Sequence, residues 1–282
     1  MKIDAPNKNK KMPTGLLLIG LGAIFICITS CVQHIRPSVA RVELSQENTQ
    51  RQLRATVGFV RPATAGTRGL MTPVPESNWE GPFCAGFFID DRHLVSAAHC
   101  FQRNIMVELI PGFIVTVPTV PDLVGEQVFF VQHREIRWMG QVTSDPNPGR
   151  ITMWDRDNDI VIIEPTESDF HPLAFLPLAA ELPPIGSEVY HVGHPLGVGW
   201  TFLNGIVSNL IREDQRDRRL VNLVQVNIAL APGSSGGSII NSRGEVVGLA
   251  NAIVGQGTTA HIGLCRSVNV IRRLLESRTP TN

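Results

Sequence analysis

The sequence predicts an all-β chain of two six-stranded antiparallel β-barrels closed by a C-terminal helix. Three observations carry that reading. Short apolar runs rich in β-branched and aromatic residues recur in two sets of six. A proline-rich stretch with no clear period, Pro165 to Ile185, separates the sets. The 25 glycines and 20 prolines in 282 residues favour turns over helices between the runs. The first set comprises Thr56–Val60, Phe87–Ile89, Leu94–Ser96, Ile105–Val107, Val128–Val131 and Ile160–Ile163. The second comprises Val189–Val192, Gly205–Val207, Leu223–Val226, Ser238–Ile240, Val246–Leu249 and His261–Leu264. Closing each set on itself removes its exposed edges. Near the end, Val268, Ile271, Leu274 and Leu275 recur at helical spacing behind Ser267, a residue type that caps helices, and this helix is expected to pack on the second barrel.

The 25 basic and 25 acidic side chains cancel, which removes the electrostatic case for a nucleic-acid binder. At the N-terminus Lys2, Lys8, Lys10 and Lys11 precede an uncharged apolar run from Met12 to Val32, the layout of a secretory signal. Ile28-Thr29-Ser30-Cys31 resembles a bacterial lipobox, in which Cys31 would carry lipid after cleavage. A signal anchor, long enough to span a bilayer, and a simply cleaved signal are the other two readings. All three place the remaining chain outside the cytoplasm, at the cell envelope or secreted. The expected organisation is a signal or anchor over 1–31, a polar linker or short exposed helix over 32–54, one folded domain over 55–276 and a tail over 277–282.

Three short segments carry chemistry. Gly233-Ser234-Ser235-Gly236-Gly237, taken alone, reads as a flexible loop, and His99 or Asp159, each alone, as a structural residue. Together they make a nucleophile, a base and an orienting carboxylate. A serine hydroxyl attacks a carbonyl well only when a neighbouring base takes its proton. His99, in Ser96-Ala97-Ala98-His99-Cys100, supplies that base, and Asp159, in Asn158-Asp159-Ile160-Val161, would fix its tautomer. Asp155 and Asp157 are rivals for the carboxylate. Gly233 would let the chain turn so that its N–H and that of Ser235 form an oxyanion hole. Gly236 and Gly237 would keep the backbone slim where this turn meets the barrel.

Phe83-Cys84-Ala85-Gly86-Phe87-Phe88-Ile89 followed by Leu94-Val95-Ser96-Ala97-Ala98-His99-Cys100 resembles the trypsin/chymotrypsin family, whose triad runs in the order His, Asp, Ser. Val192-Gly193-His194-Pro195-Leu196-Gly197, Asn204-Gly205-Ile206-Val207-Ser208 and Asn241-Ser242-Arg243-Gly244-Glu245-Val246-Val247-Gly248-Leu249 resemble its Deg/HtrA branch. The resemblance spans roughly Thr56 to Glu276 and implies a chymotrypsin-like double barrel. It also implies a serine endopeptidase that acts on protein or peptide substrates and needs no cofactor or metal. It pairs Cys84 with Cys100, closing a loop of about 15 residues worth up to ~3 kcal/mol, and leaves Cys265 as a buried thiol. Substrate contacts are expected at Leu249, Ala250 and Asn251, and at Ala229 in the base of the primary pocket, where an alanine favours small or apolar side chains.

Two departures narrow the family reading. Ser234 replaces the aspartate that receives a new N-terminus in activated trypsins, so that activation route is not expected. No PDZ-like segment follows, so peptide sensing and oligomeric cages are not carried over, and the oligomeric state stays open. A non-catalytic chaperone or binding module on the same fold, and an esterase using the same triad, are the competing functions. His191 and His194 lack the helical spacing that aims two imidazoles at one metal. The mixed-charge run Arg212 to Arg219 reads as a solvated hairpin tip. Trp138, Trp154 and Trp200 are expected around the barrels, with Trp200 also placed to edge the substrate cleft, and the proline-punctuated segment 111–158 is expected to include a loop bordering the site.

Overall fold

The computed structural model describes residues 43–62, 79–102, 104–110, 113–118, 122–136, 141–211, 222–254 and 262–277. Cys31 with the signal or anchor, Trp138, and the charged run 212–219 lie outside the described residues. Among the described residues no helix is long and apolar enough to cross a membrane.

The first half supplies β1 (Thr56–Pro62), β2 (Trp79–Phe88), β3 (Leu94–Ala97), β4 (Asn104–Ile110), β5 (Phe113–Pro118), β6 (Gln127–Gln132), β7 (Asn147–Asp155) and β8 (Ile160–Pro165). Six of them close an antiparallel barrel in the order β1-β2-β3-β8-β7-β6, and β4 pairs with β5 as a separate hairpin. The run Ile105–Val107 is therefore a strand outside the barrel. Its expected place is taken by β7, hidden in sequence by Pro148, Gly149 and Arg150, yet burying Gly149, Ile151 and Met153 in strict alternation. The second half supplies β9 (Glu188–Gly193), β10 (Thr201–Ile211), β11 (Leu223–Val226), β12 (Ser238–Asn241), β13 (Val246–Val254) and β14 (Ile262–Ser267), closed in the order β10-β11-β14-β13-β12-β9. These are the six predicted strands.

Each barrel has its own core. Phe59, Phe88, Phe130, Ile151 and Ile163 fill the first, and Val189, Val207, Val226, Ile239 and Val247 the second. A third cluster lies between them and joins Phe87, Val95, Ile160 and Ile162 to Tyr190, Ile240, Val246 and Leu249. β8 is thus buried on both faces, which is why Ile160-Val161-Ile162-Ile163 reads as an unbroken apolar run with no exposure.

Two helices complete this seam. α1 (Gln46–Ala55) starts at Ser45, whose hydroxyl accepts from Asn48 N at 3.1 Å. It is a short helix, exposed at Gln46, Glu47, Gln50 and Arg54, but it also docks through one face. Gln52 is fully buried and donates from Nε2 to Ser238 Oγ at 3.0 Å, and Ala55 joins the seam cluster. The polar composition that suggested a linker lies on the outer face apart from Gln52, which is buried. α2 (Val268–Glu276), capped by Ser267, packs Val268, Val270 and Ile271 among Met153 and Ile162 as well as second-barrel residues, so it clasps both barrels rather than one.

Replacing Gln52 by alanine strands buried polar groups at Ser238, and should lower stability by about 1–3 kcal/mol. A denaturant midpoint unchanged from wild type would refute this role.

Candidate active site

β3 runs into a short 3-10 turn, Ala98–Cys100, that lifts His99 out of the barrel wall. The turn before β8 holds Asp159 at φ +56°, a conformation that a short polar side chain tolerates. Ala98 N donates to Asp159 O at 3.1 Å, so the two turns are locked together. The Asp159 carboxylate accepts from His99 N through Oδ1 at 2.6 Å and from His99 Nδ1 through Oδ2 at 2.6 Å. A carboxylate offers only acceptors, so Nδ1 carries the proton and Nε2 remains free to act as base. The rivals fall away: Asp155 is occupied by Asn158 at 2.7 Å, and Asp157 is exposed.

Asn251 supplies a third bond, donating from Nδ2 to Asp159 Oδ2 at 2.5 Å. The substrate contact expected for Asn251 is thereby joined by a positioning role. The sequence held one signal of it: Asn251 is the polar residue of an otherwise apolar strand, and a polar group on such a strand needs a partner.

Ser235 follows a tight turn closed by Ser234 N donating to Ala231 O at 2.8 Å, with Gly233 at φ +96°. A side chain on Gly233 would also collide with the His194 carbonyl oxygen. The carbonyls here are engaged from behind: Leu196 N donates to Pro232 O at 2.7 Å and His194 N to Gly233 O at 3.4 Å. Among the described residues, the N–H groups of Gly233 and Ser235 have no acceptor. Ala85 N of β2 donates to Ser235 O at 2.8 Å, and Gly236 N donates to Ala250 O of β13 at 2.8 Å. The Ser235 turn is therefore tied to both barrels. At Gly236, φ +84°, any Cβ would strike Ala85 O and Ser96 Oγ. Ser234, where trypsins carry an aspartate, is buried and its hydroxyl accepts from Ala231 N at 3.4 Å, serving its own turn.

His99, Gly233 and Ser235 line one cleft of about 760 Å³, flanked by the Cys84–Cys100 disulfide, Phe83 and Phe101. On the other side of Ser235 lies a smaller hollow of about 190 Å³, walled by Leu230, Ala231, Pro232, Ala250, Asn251 and Ala252. Of the four expected substrate contacts, Ala250 and Asn251 are in this wall and two are not. Ile228 and Leu230 turn into the second barrel, which points Ala229 to solvent, and Leu249 is fully buried in the seam.

His191 and His194 bracket the Ser235 turn from behind. A Cβ on Gly237 would lie 2.6 Å from the His191 ring, whose Nδ1 donates to Ser238 O at 3.1 Å. His194 packs edge-on against Trp200, ring centres 5.4 Å apart, and Trp200 Nε1 donates to His133 O at 2.9 Å. Trp200 lines neither cavity described above. Burial pushes both imidazoles down to about 4, so both are neutral at pH 7. Donor atoms of Cys84, His99 and Cys100 lie within 4.8 Å of one another, but the two sulfurs are bonded together and offer no thiolate. Cys265 is buried, and burial pushes its thiol far up, leaving it protonated.

Comparison with known proteins decides the lineage. The trypsin-like peptidase domain family matches residues 84–249, which contain His99, Asp159 and Ser235. The chain belongs to that family. Among curated relatives of this peptidase domain, the periplasmic serine endoprotease DegP of Escherichia coli is 33% identical over 91 residues, 32% of this chain and 19% of DegP. The chloroplastic Protease Do-like 1 of Arabidopsis thaliana is 26% identical over 133 residues, 45% of this chain and 30% of its own. The matched segment is thus a third or less of those longer proteins. Among solved structures, the serine endoprotease from Yersinia pestis superposes with TM-score 0.54 at 18% identity, covering 82% of this chain and 65% of that one. At that identity the match speaks for the double-barrel fold.

Removing the Asn251 amide from Asp159 deletes one charge-assisted hydrogen bond, so Asn251→Ala should slow Ser235 modification about 10- to 100-fold with little loss of fold. An unchanged rate would refute the positioning role. The two buried histidines also set an acid limit. Their folded pKa lies below the unfolded 6.5, so the unfolded chain binds more protons between pH 6.5 and 4, and stability falls as pH drops through that window. The loss approaches about 3 kcal/mol per ring. A pH titration of the melting temperature that is flat in this window, or that is identical in His191→Asn, would contradict it.

Proposed function

We propose that this chain is an exported serine endopeptidase that cleaves peptide bonds through an acyl-enzyme on Ser235. The observation that carries the reading is the His99–Asp159 pair, which presents a free Nε2 in the cleft that also holds Ser235. In the acylation step the Ser235 hydroxyl proton passes to His99 Nε2 as Oγ bonds to the carbonyl carbon. The resulting oxyanion is received by the N–H groups of Gly233 and Ser235. Collapse breaks the C–N bond, and the leaving amine takes the proton from Nε2. Water then repeats the sequence and frees Ser235.

The hollow of about 190 Å³, with walls chiefly of alanine, leucine and proline, suits a small apolar side chain before the scissile bond. Export is supported by the Cys84–Cys100 disulfide, which persists in an oxidising compartment, and by the basic-then-apolar N-terminus. Tethering to the envelope follows from Cys31 lipidation or from a retained anchor.

A fluorophosphonate probe should label the wild-type chain and fail on Ser235→Ala and His99→Ala. A folded wild-type chain that resists the probe would instead favour a non-catalytic binding module. Fatty-acid incorporation in cells should vanish in Cys31→Ser; incorporation that persists would exclude that lipid site.

A further inference from the structure

We infer that the wide cleft beside His99 receives the residue that follows the scissile bond and prefers a bulky aromatic or branched apolar side chain there. The inference rests on the acyl-enzyme reading of Ser235. Direction comes from the chemistry: the leaving amine must collect its proton from His99, so the leaving half of the substrate lies on the His99 side of Ser235. The acyl half then lies along the other side, toward β13. The cavities on the two sides are unequal, about 760 Å³ against about 190 Å³. The first is of the size that encloses a substantial ligand group and the second is smaller than that range.

The walls of the larger cleft are suited to an apolar ring. Phe83, Phe101, Val128 and Phe129 line it. Phe101 packs edge-on against the core residue Phe59, ring centres 4.8 Å apart, and against Phe83 at 6.4 Å. The aromatic floor is therefore fixed before substrate arrives, which removes an ordering cost on binding. The Arg61 guanidinium lies 4.1 Å above the Phe83 ring and pairs with Glu80 at 3.7 Å, giving the floor a flat, stacked lip. Arg61 and the exposed Glu126 both border the cleft with opposite charge, so shape and apolar area, rather than a charged side chain, set the preference. Arg61 and Phe83 are the specificity-determining residues of this subsite.

Acyl transfer tests this without interference from the acyl side. The full chain is acylated with a short-chain p-nitrophenyl ester, and amino-acid amides compete with water for the acyl group. The attacking amine bonds to the acyl carbon, the ester bond to Ser235 Oγ breaks, and the amine proton returns through His99 to Oγ. Phenylalanine and leucine amides should capture the acyl group about 10-fold more often than glycine or lysine amides. In Arg61→Ala and Phe83→Ala that ratio should fall toward one; being a ratio per acyl-enzyme formed, it is insensitive to any unfolded fraction. Equal capture of all amides by wild type, or an undiminished ratio in both variants, overturns the inference alone. Failure of any acyl-enzyme to form overturns the peptidase reading and this inference with it.

Discussion

The Asp159 carboxylate accepts hydrogen bonds from His99 of the first barrel and from Asn251 of the second, so the geometry of the candidate site is a property of the seam and not of either barrel. The same seam fixes the proposed nucleophile. Ser235 reaches across it through Ala85, and Gly236 ties back to Ala250. A shift of one barrel against the other would pull His99 and Ser235 apart. Reactivity of this kind tolerates little displacement, because a misplaced base loses the proton transfer on which a serine nucleophile depends.

What holds the seam is apolar burial on both faces of β3 and β8, reinforced by two helices that begin and end the described fold. α2 wedges Val268, Val270 and Ile271 between the barrels, and α1 sends Gln52 to Ser238, three residues beyond the nucleophile. The Cys84–Cys100 bridge adds a covalent tie on the His99 side. The chain leading into the domain through α1 therefore bears directly on the strand that follows Ser235, so the segment read as a linker or short exposed helix also braces the site.

Much of this was legible in the sequence because the signals were local. Runs such as Ile160–Ile163 announce a strand by composition, and the Gly-x-Ser-Gly-Gly turn announces its own backbone needs at Gly233 and Gly236. Four features were not, three of them because the deciding contact is distant in sequence. β7 looks like a loop since Pro148 and Gly149 mask its alternation, and only pairing with β6 and β8 makes it a strand. α1 looks exposed since one glutamine, Gln52, carries its docking. Ala229 was placed in the pocket by its offset from Ser235, but the alternation of Ile228 and Leu230 into the core turns it outward. Asn251 drew notice only as a pocket residue, since its bond to Asp159 spans 92 positions of chain.

In the proposed reaction Ser235 Oγ becomes covalently bonded to the acyl half of the substrate. The most direct measurement is peptide-level mass spectrometry of the chain quenched with acid during turnover of an activated ester. One acyl adduct is expected, on the peptide containing Ser235, forming before steady state and disappearing as the ester is exhausted. Turnover with no adduct, or an adduct on a different residue, would contradict it.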